Sequence, residues 1–189
     1  MLDELLQRNN EAFHLINGVW NSALLDFIMP WLRNKYAWAP LYLFIIGFML
    51  LNYRWKGLMA LLYLGITVLL CDQISSGIIK QYFEIPRPCN DPALADHIRL
   101  LVNCGSGFSF PSSHAANHFG TAVFLGVLFS RKRIILPVAL LWAALISYAQ
   151  IYVGVHYPLD IAGGALLGAT IGLLTSFLCK WHLGNDFLF

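Results

Sequence analysis

The chain has 189 residues, of which 58% are hydrophobic and 12% charged, and its net charge is +2. A soluble domain carries about 25% charged residues, so this composition excludes an ordinary water-soluble globule and points to residence in a bilayer. The small net charge, with no arginine-rich stretch or ladder of interleaved aromatics, excludes a reader of nucleic acid.

In chain order, residues 1–34 read as an amphipathic surface segment. Asp3 and Glu4 stand where a secretory signal would be basic, so the segment is expected to remain in the mature protein. Leu2, Leu5, Leu6, Phe13, Ile16 and Trp20 recur at helical spacing, which suits a helix lying on the membrane surface or an ordinary packed amphipathic helix. No chemistry is assigned to it. Residues 35–182 read as a transmembrane core with apolar spans at 36–53, 57–79, 113–130, 134–153 and 159–179. The expected fold class is all-α: one domain over residues 1–189, an integral membrane helical bundle of about five transmembrane helices plus the N-terminal surface helix.

The one long hydrophilic segment, 80–112, separates the second and third spans. Arg54, Lys56, Arg131, Lys132, Arg133 and Lys180 fall on the membrane side opposite to it, while Arg8, Arg33, Lys35, Lys80, Arg87 and Arg99 fall on its own side. With Lys80 and Arg87 set aside as site residues, the positive-inside rule turns the loop outward. Cys89 and Cys104 both lie in this loop, whereas Cys71 and Cys179 lie within spans. An oxidising compartment would let the loop pair bridge, the alternative being two free thiols.

Three polar groups interrupt the apolar sequence, and each is costly in a membrane unless it is paired or lines a wet cavity. They are Lys80 with Arg87-Pro88, then Pro111-Ser112-Ser113-His114, then His156 with Asp160. Singly, each has a bland explanation: cations snorkelling to headgroups, a polar helix start, a structural hydrogen-bonded pair. Alternating spans bring all three to one membrane face, which favours a shared site. Pro followed by two serines opens a helix whose free N–H groups suit an oxyanion, and Lys80 and Arg87 add cations that fit phosphate. His156 and Asp160, four residues apart, give a nucleophile with its orienter. His114 is placed as general acid. Two histidines and an aspartate could also ligate zinc, but the neighbouring cations would repel a divalent ion, and no cofactor or metal is expected.

These residues, with Tyr152-Val153-Gly154-Val155-His156-Tyr157-Pro158-Leu159-Asp160 as the third motif, resemble the type 2 phosphatidic acid phosphatase superfamily. The resemblance covers about 80–160 by motif. It implies a helical bundle, a phosphohistidine on His156, no metal, and a lipid phosphate or diphosphate as substrate. Undecaprenyl diphosphate or phosphatidylglycerol phosphate are the expected lipids, among members that also act on phosphatidic acid or lipid A. Soluble relatives that hold vanadate for halide oxidation are set aside because of the spans.

The chain departs from that pattern at Ser113, where the family usually has glycine, and at Ala149-Gln150, where it usually has Ser-Arg. Gln150 can donate a hydrogen bond but brings no charge; either the site works with less positive charge or another residue compensates, and Arg99, in the same long loop, is the nearest candidate by topology. The expected phosphate-binding set is therefore Lys80, Arg87, Ser112, Ser113, Gln150 and Arg99. Expected partners are the bilayer and its lipid phosphate, with no nucleic acid, and the expected location is the inner membrane with the site facing the periplasm or exterior. The alternatives are a lipid phosphotransferase and a non-catalytic phospholipid-binding or transport protein.

Overall fold

The structure is a computed structural model that describes residues 1–92, 94 and 98–184, so part of the 80–112 loop lies outside the described residues. Among the described residues every regular element is helical, as expected. The helices are α1 (Leu2–His14), α2 (Ala23–Leu32), α3 (Ala39–Asp72), α4 (Lys80–Phe83), α5 (Ser113–Leu128), α6 (Ile135–Tyr152) and α7 (Pro158–Leu183).

Among the described residues, three helical stretches are long and apolar enough to cross a membrane: Lys35–Asn90, Ile135–Tyr152 and Pro158–Leu183. The first is broken at Arg54, whose φ of 50° is non-helical. Met49 and Gly57 would lie about 12 Å apart along an unbroken helix. Instead, a Cβ on Gly57 would stand 2.0 Å from the Met49 carbonyl oxygen. Ile45 and Tyr53, before the break, share an apolar cluster with Leu61 and Leu64 after it, so the stretch folds back on itself. This break corresponds to the boundary expected between the first two spans. α5 has 16 residues, about 24 Å of helix against a hydrocarbon core of about 30 Å. It is the central element, with Ala115, Ala116, Ala122 and Phe124 fully buried. The outward faces of α3, α6 and α7 carry Phe44, Leu51, Leu62, Leu141, Leu166 and Phe177 exposed, the surface expected toward lipid tails.

Lipid tails are as apolar as leucine, so membrane helices associate through close packing. α5 packs most extensively against α7. Gly164, Gly168 and Gly172 recur every four residues on α7 and meet the backbone of Ser112, Ala116 and Gly120: a Cβ at these glycines would stand 2.3, 2.1 and 2.3 Å from those carbonyl oxygens. Only hydrogen at these positions permits the approach. The same stripe brings the Pro111–His114 motif alongside Asp160, and the Ser112 N–H donates to the Asp160 carbonyl at 2.9 Å.

The N-terminal segment is more than an amphipathic cover. Asn17, buried, donates from Nδ2 to the carbonyls of Arg99 (2.8 Å) and Tyr152 (2.7 Å) and accepts the Arg99 N–H on Oδ1 at 2.9 Å. Asn9 accepts the free N–H of Leu159 in the first turn of α7 at 2.9 Å. The Tyr152 hydroxyl donates to Asp26 at 2.6 Å. These bonds dock α1 and α2 onto the end of the bundle that carries the three polar motifs. At the opposite end Lys180 Nζ donates to Ser130 Oγ at 3.1 Å, which gathers the basic 131–133 turn and the end of α7 away from them.

Candidate active site

Cys89 and Cys104 are joined in a disulfide, which ties the chain just after Arg87 to the loop that returns toward α5. Beyond the bridge on either side, Arg87 Nε donates to the Gly107 carbonyl at 3.3 Å. Lys80, at the start of α4, is buried and donates from Nζ to the carbonyls of Phe108 (2.8 Å) and Ser109 (3.2 Å). The first polar motif is thus bound to the segment leading into the second.

The third motif is built at a tight corner. α6 ends at Tyr152, Gly154 turns the chain with φ +88°, and Pro158 opens α7. A Cβ at Gly154 would also stand 2.8 Å from the Arg99 carbonyl oxygen, so position and backbone both call for glycine. Asp160 accepts the Tyr157 N–H on Oδ2 at 2.8 Å, a reach-back bond of the kind that fixes a helix start. On the same oxygen it accepts the Ser109 hydroxyl, and His156 Nδ1 lies 3.2 Å away. A carboxylate only accepts, so the His156 proton sits on Nδ1, which also lies 3.3 Å from Ser109 Oγ.

That tautomer leaves the Nε2 lone pair facing Arg87, whose Nη1 lies 3.4 Å away. The ring is only 2% exposed. Burial first, then the charges of Arg87 and Lys80, hold the His156 pKa down to about 4 against the raising effect of Asp160. At neutral pH the ring is uncharged, as a nucleophile must be.

At the start of α5, Ser112 caps the helix, its Oγ accepting the Ala115 N–H at 3.4 Å. Ser113 Oγ bonds Ser75 Oγ (2.9 Å) and Ser76 Oγ (2.7 Å). Both serine side chains are thus engaged within the protein; what the motif offers an anion is backbone, since the N–H groups of Ser113 and His114 lie in the unpaired first turn. Arg33, His156 and Arg87 all lie close enough to His114 to act on it electrostatically. One turn on, His118 Nδ1 donates to the His114 carbonyl at 2.7 Å. Beside His114 opens a cavity of about 480 Å³, lined by Tyr42, Leu64, Asp72, Asn117, His118 and Trp142.

Two expectations meet a different arrangement. Arg99 does not stand in for the missing cation, because its guanidinium is held on Asp26 at 2.6 Å and on the Asn17 carbonyl at 3.2 Å. Gln150 is fully buried, and its Oε1 accepts a hydrogen bond from Arg33 Nε at 3.1 Å. Sequence reasoning missed both Arg33 and Ser109. Ser109 lies two residues before the Pro111 motif and carries no periodic signal. Arg33 had been counted only among the charges on the loop side.

The geometry agrees with what comparison finds. A lipid A 4'-phosphatase of Bacteroides thetaiotaomicron is 35% identical over 183 residues, covering 94% of this chain and 80% of that protein. An undecaprenyl-diphosphatase of Bacillus subtilis is 30% identical over 167 residues, covering 88% and 81%. The crystal structure of a transmembrane PAP2-type phosphatidylglycerolphosphate phosphatase from Bacillus subtilis superposes with a TM-score of 0.64 at 27% identity, over 98% of this chain and 88% of that one. Residues 56–182, which contain all three motifs, match the family itself; the chain is a membrane protein that belongs to the PAP2 superfamily.

Proposed function

We propose that the chain is a lipid phosphatase that works through a phosphohistidine on His156 at the outer face of the inner membrane. The observation that carries this reading is the His156 ring, with Nδ1 on Asp160 and its free Nε2 beside Arg87. A phosphoryl group drawn in by Lys80 and Arg87 meets that lone pair. The Nε2–P bond forms as the bond from phosphorus to the lipid oxygen breaks, and the leaving oxygen takes a proton from His114. Water then attacks phosphorus while His114 accepts its proton, the N–P bond breaks, and inorganic phosphate leaves. The crowding of Lys80, Arg87 and Arg33 supplies the charge neutralisation that a divalent ion provides in other phosphoryl-transfer sites.

The substrate reading is a glycolipid phosphate monoester such as lipid A 4'-phosphate, supported by the higher identity of the relative named for that activity and the larger share of this chain it matches. Undecaprenyl diphosphate is the second reading, supported by the Bacillus subtilis relative. The cavity beside His114, about 480 Å³, offers space for part of the leaving lipid moiety. Purified protein in detergent, given lipid A, undecaprenyl diphosphate and phosphatidylglycerol phosphate in the presence of EDTA, should release phosphate fastest from lipid A. His156→Ala should abolish release. Transfer of phosphate to an added lipid or sugar hydroxyl in place of water would make the chain a phosphotransferase, and binding without turnover would make it a carrier.

A further inference from the structure

Arg33 follows the last turn of α2, far in sequence from every motif, yet it reaches the functional end of the bundle. Its Nε donates to Gln150 Oε1 at 3.1 Å, and among the described residues no carboxylate pairs with it. Arg99, by contrast, is saturated by Asp26 and Asn17. The Gln150 carbonyl accepts the Val155 N–H at 3.2 Å, and the Val155 carbonyl accepts from Arg87 Nη1 at 3.4 Å. One bonded path therefore runs from Arg33 through Gln150 and Val155 to Arg87, which touches His156. Arg33 and Arg87 are near enough to repel each other, and both act on His114.

Two half-buried guanidinium groups joined through Gln150 and Val155, neither of them ion-paired among the described residues, repel each other unless an anion is shared between them. With Nε committed to Gln150, both terminal amino groups of Arg33 remain as a planar pair of donors, the geometry that matches two oxygens of one phosphoryl group. Where the family usually has arginine, this chain has an amide that cannot bring charge but can aim one.

We propose that Arg33 is a direct ligand of the substrate phosphoryl group, supplied by the N-terminal segment and positioned by Gln150. The site is then completed across the chain by a cation from outside the span that the family match covers. The proposal rests on the phosphatase reading above, which fixes the ligand as a phosphoryl group.

The test uses full-length protein in detergent and orthovanadate, a phosphate-like oxyanion whose binding is read both by inhibition and by protection against thermal unfolding. Arg33→Ala should lower kcat/KM and raise the orthovanadate Ki, each by roughly 10- to 100-fold, as loss of charged hydrogen bonds does. Arg33→Lys should recover part of the loss and Arg33→Gln none of it. Gln150→Arg in the Arg33→Ala background should regain at least about tenfold in orthovanadate affinity, because it returns a guanidinium to the same locality. A wild-type Ki in Arg33→Ala overturns the proposal. So does a loss that is equal in Arg33→Lys and Arg33→Gln, which marks a packing role. If wild-type protein binds orthovanadate but hydrolyses no lipid phosphate, the phosphatase reading fails, while the protection arm still decides whether Arg33 holds the oxyanion.

Discussion

His156 Nδ1 lies 3.2 Å from Asp160 Oδ2 at the N-terminal end of α7, and the same carboxylate oxygen accepts the Ser109 hydroxyl and the Tyr157 N–H. Three donors on one oxygen fix the carboxylate, and the carboxylate fixes which ring nitrogen carries the proton. Asp160→Asn keeps the shape but offers an amide that can turn its N–H toward the ring, which favours the wrong tautomer. We expect kcat to fall by about 10³-fold with KM changed by less than about threefold. Ser109→Ala removes one support only and should cost about tenfold in kcat. Steady-state kinetics on purified variants checks both, and an Asp160→Asn enzyme with wild-type kcat would remove the orienting role.

The His156 pKa is held at about 4, below the ordinary histidine value, chiefly by burial. The reactive form is the neutral ring, so it stays populated as pH falls from 7 to 5 and is lost only near pH 4. The unfolded chain takes up the proton near pH 6.5. The folded state's advantage is therefore full above pH 6.5 and declines as pH falls from there toward 4. Ring NMR of ligand-free protein labelled at histidine should show the His156 resonance titrating near pH 4. A midpoint near 6.5 would contradict the burial argument.

Gly168 faces the Ala116 backbone, with room for a Cβ only 2.1 Å from its carbonyl oxygen. Gly168→Leu should separate α5 from α7, at a cost of about 1–3 kcal/mol or more, and draw the Ser113 and His114 N–H groups away from His156. Both Tm and kcat should fall. Gly65→Ala, with no packing neighbour within 4 Å of the added Cβ, should leave kcat unchanged and raise Tm slightly through helix propensity, and so serves as the control for packing.

The Cys89–Cys104 bridge closes a loop with a sequence separation of 15, a size for which cross-linking contributes about 3 kcal/mol in the chain-entropy account. Because the bridge ties the chain two residues after Arg87 to the segment that leads to Gly107, the carbonyl on which Arg87 donates, Cys89→Ser with Cys104→Ser should lower Tm and raise KM more than it lowers kcat. Thermal unfolding with and without reductant checks the first effect. Identical melting curves would show that the bridge constrains nothing that the native fold does not already hold.

The candidate site residues were legible because a membrane makes buried polar groups conspicuous: Lys80, Arg87, His114, His156 and Asp160 stand out against apolar runs. The four-residue spacing of His156 and Asp160 even gave their contact. The glycine stripe at 164, 168 and 172 was not read from the sequence, because a glycine pattern inside an apolar span does not say which helix it will meet. Arg33 and Arg99 were not separable by sequence. Both are arginines on the same membrane side, and which one faces the site is decided by Asp26, Asn17 and Gln150, residues brought to them only by folding.

The proposed phosphatase reaction passes through a covalent bond between His156 Nε2 and the phosphoryl group. Rapid acid-free quenching of the enzyme during turnover of ³²P-labelled lipid phosphate, followed by peptide mapping under alkaline conditions, should find label on His156, attached at Nε2 and lost in mild acid. It should accumulate further in His114→Ala if water attack slows more than transfer. Continued phosphate release with no label on His156, or undiminished release by His156→Ala, would contradict the account.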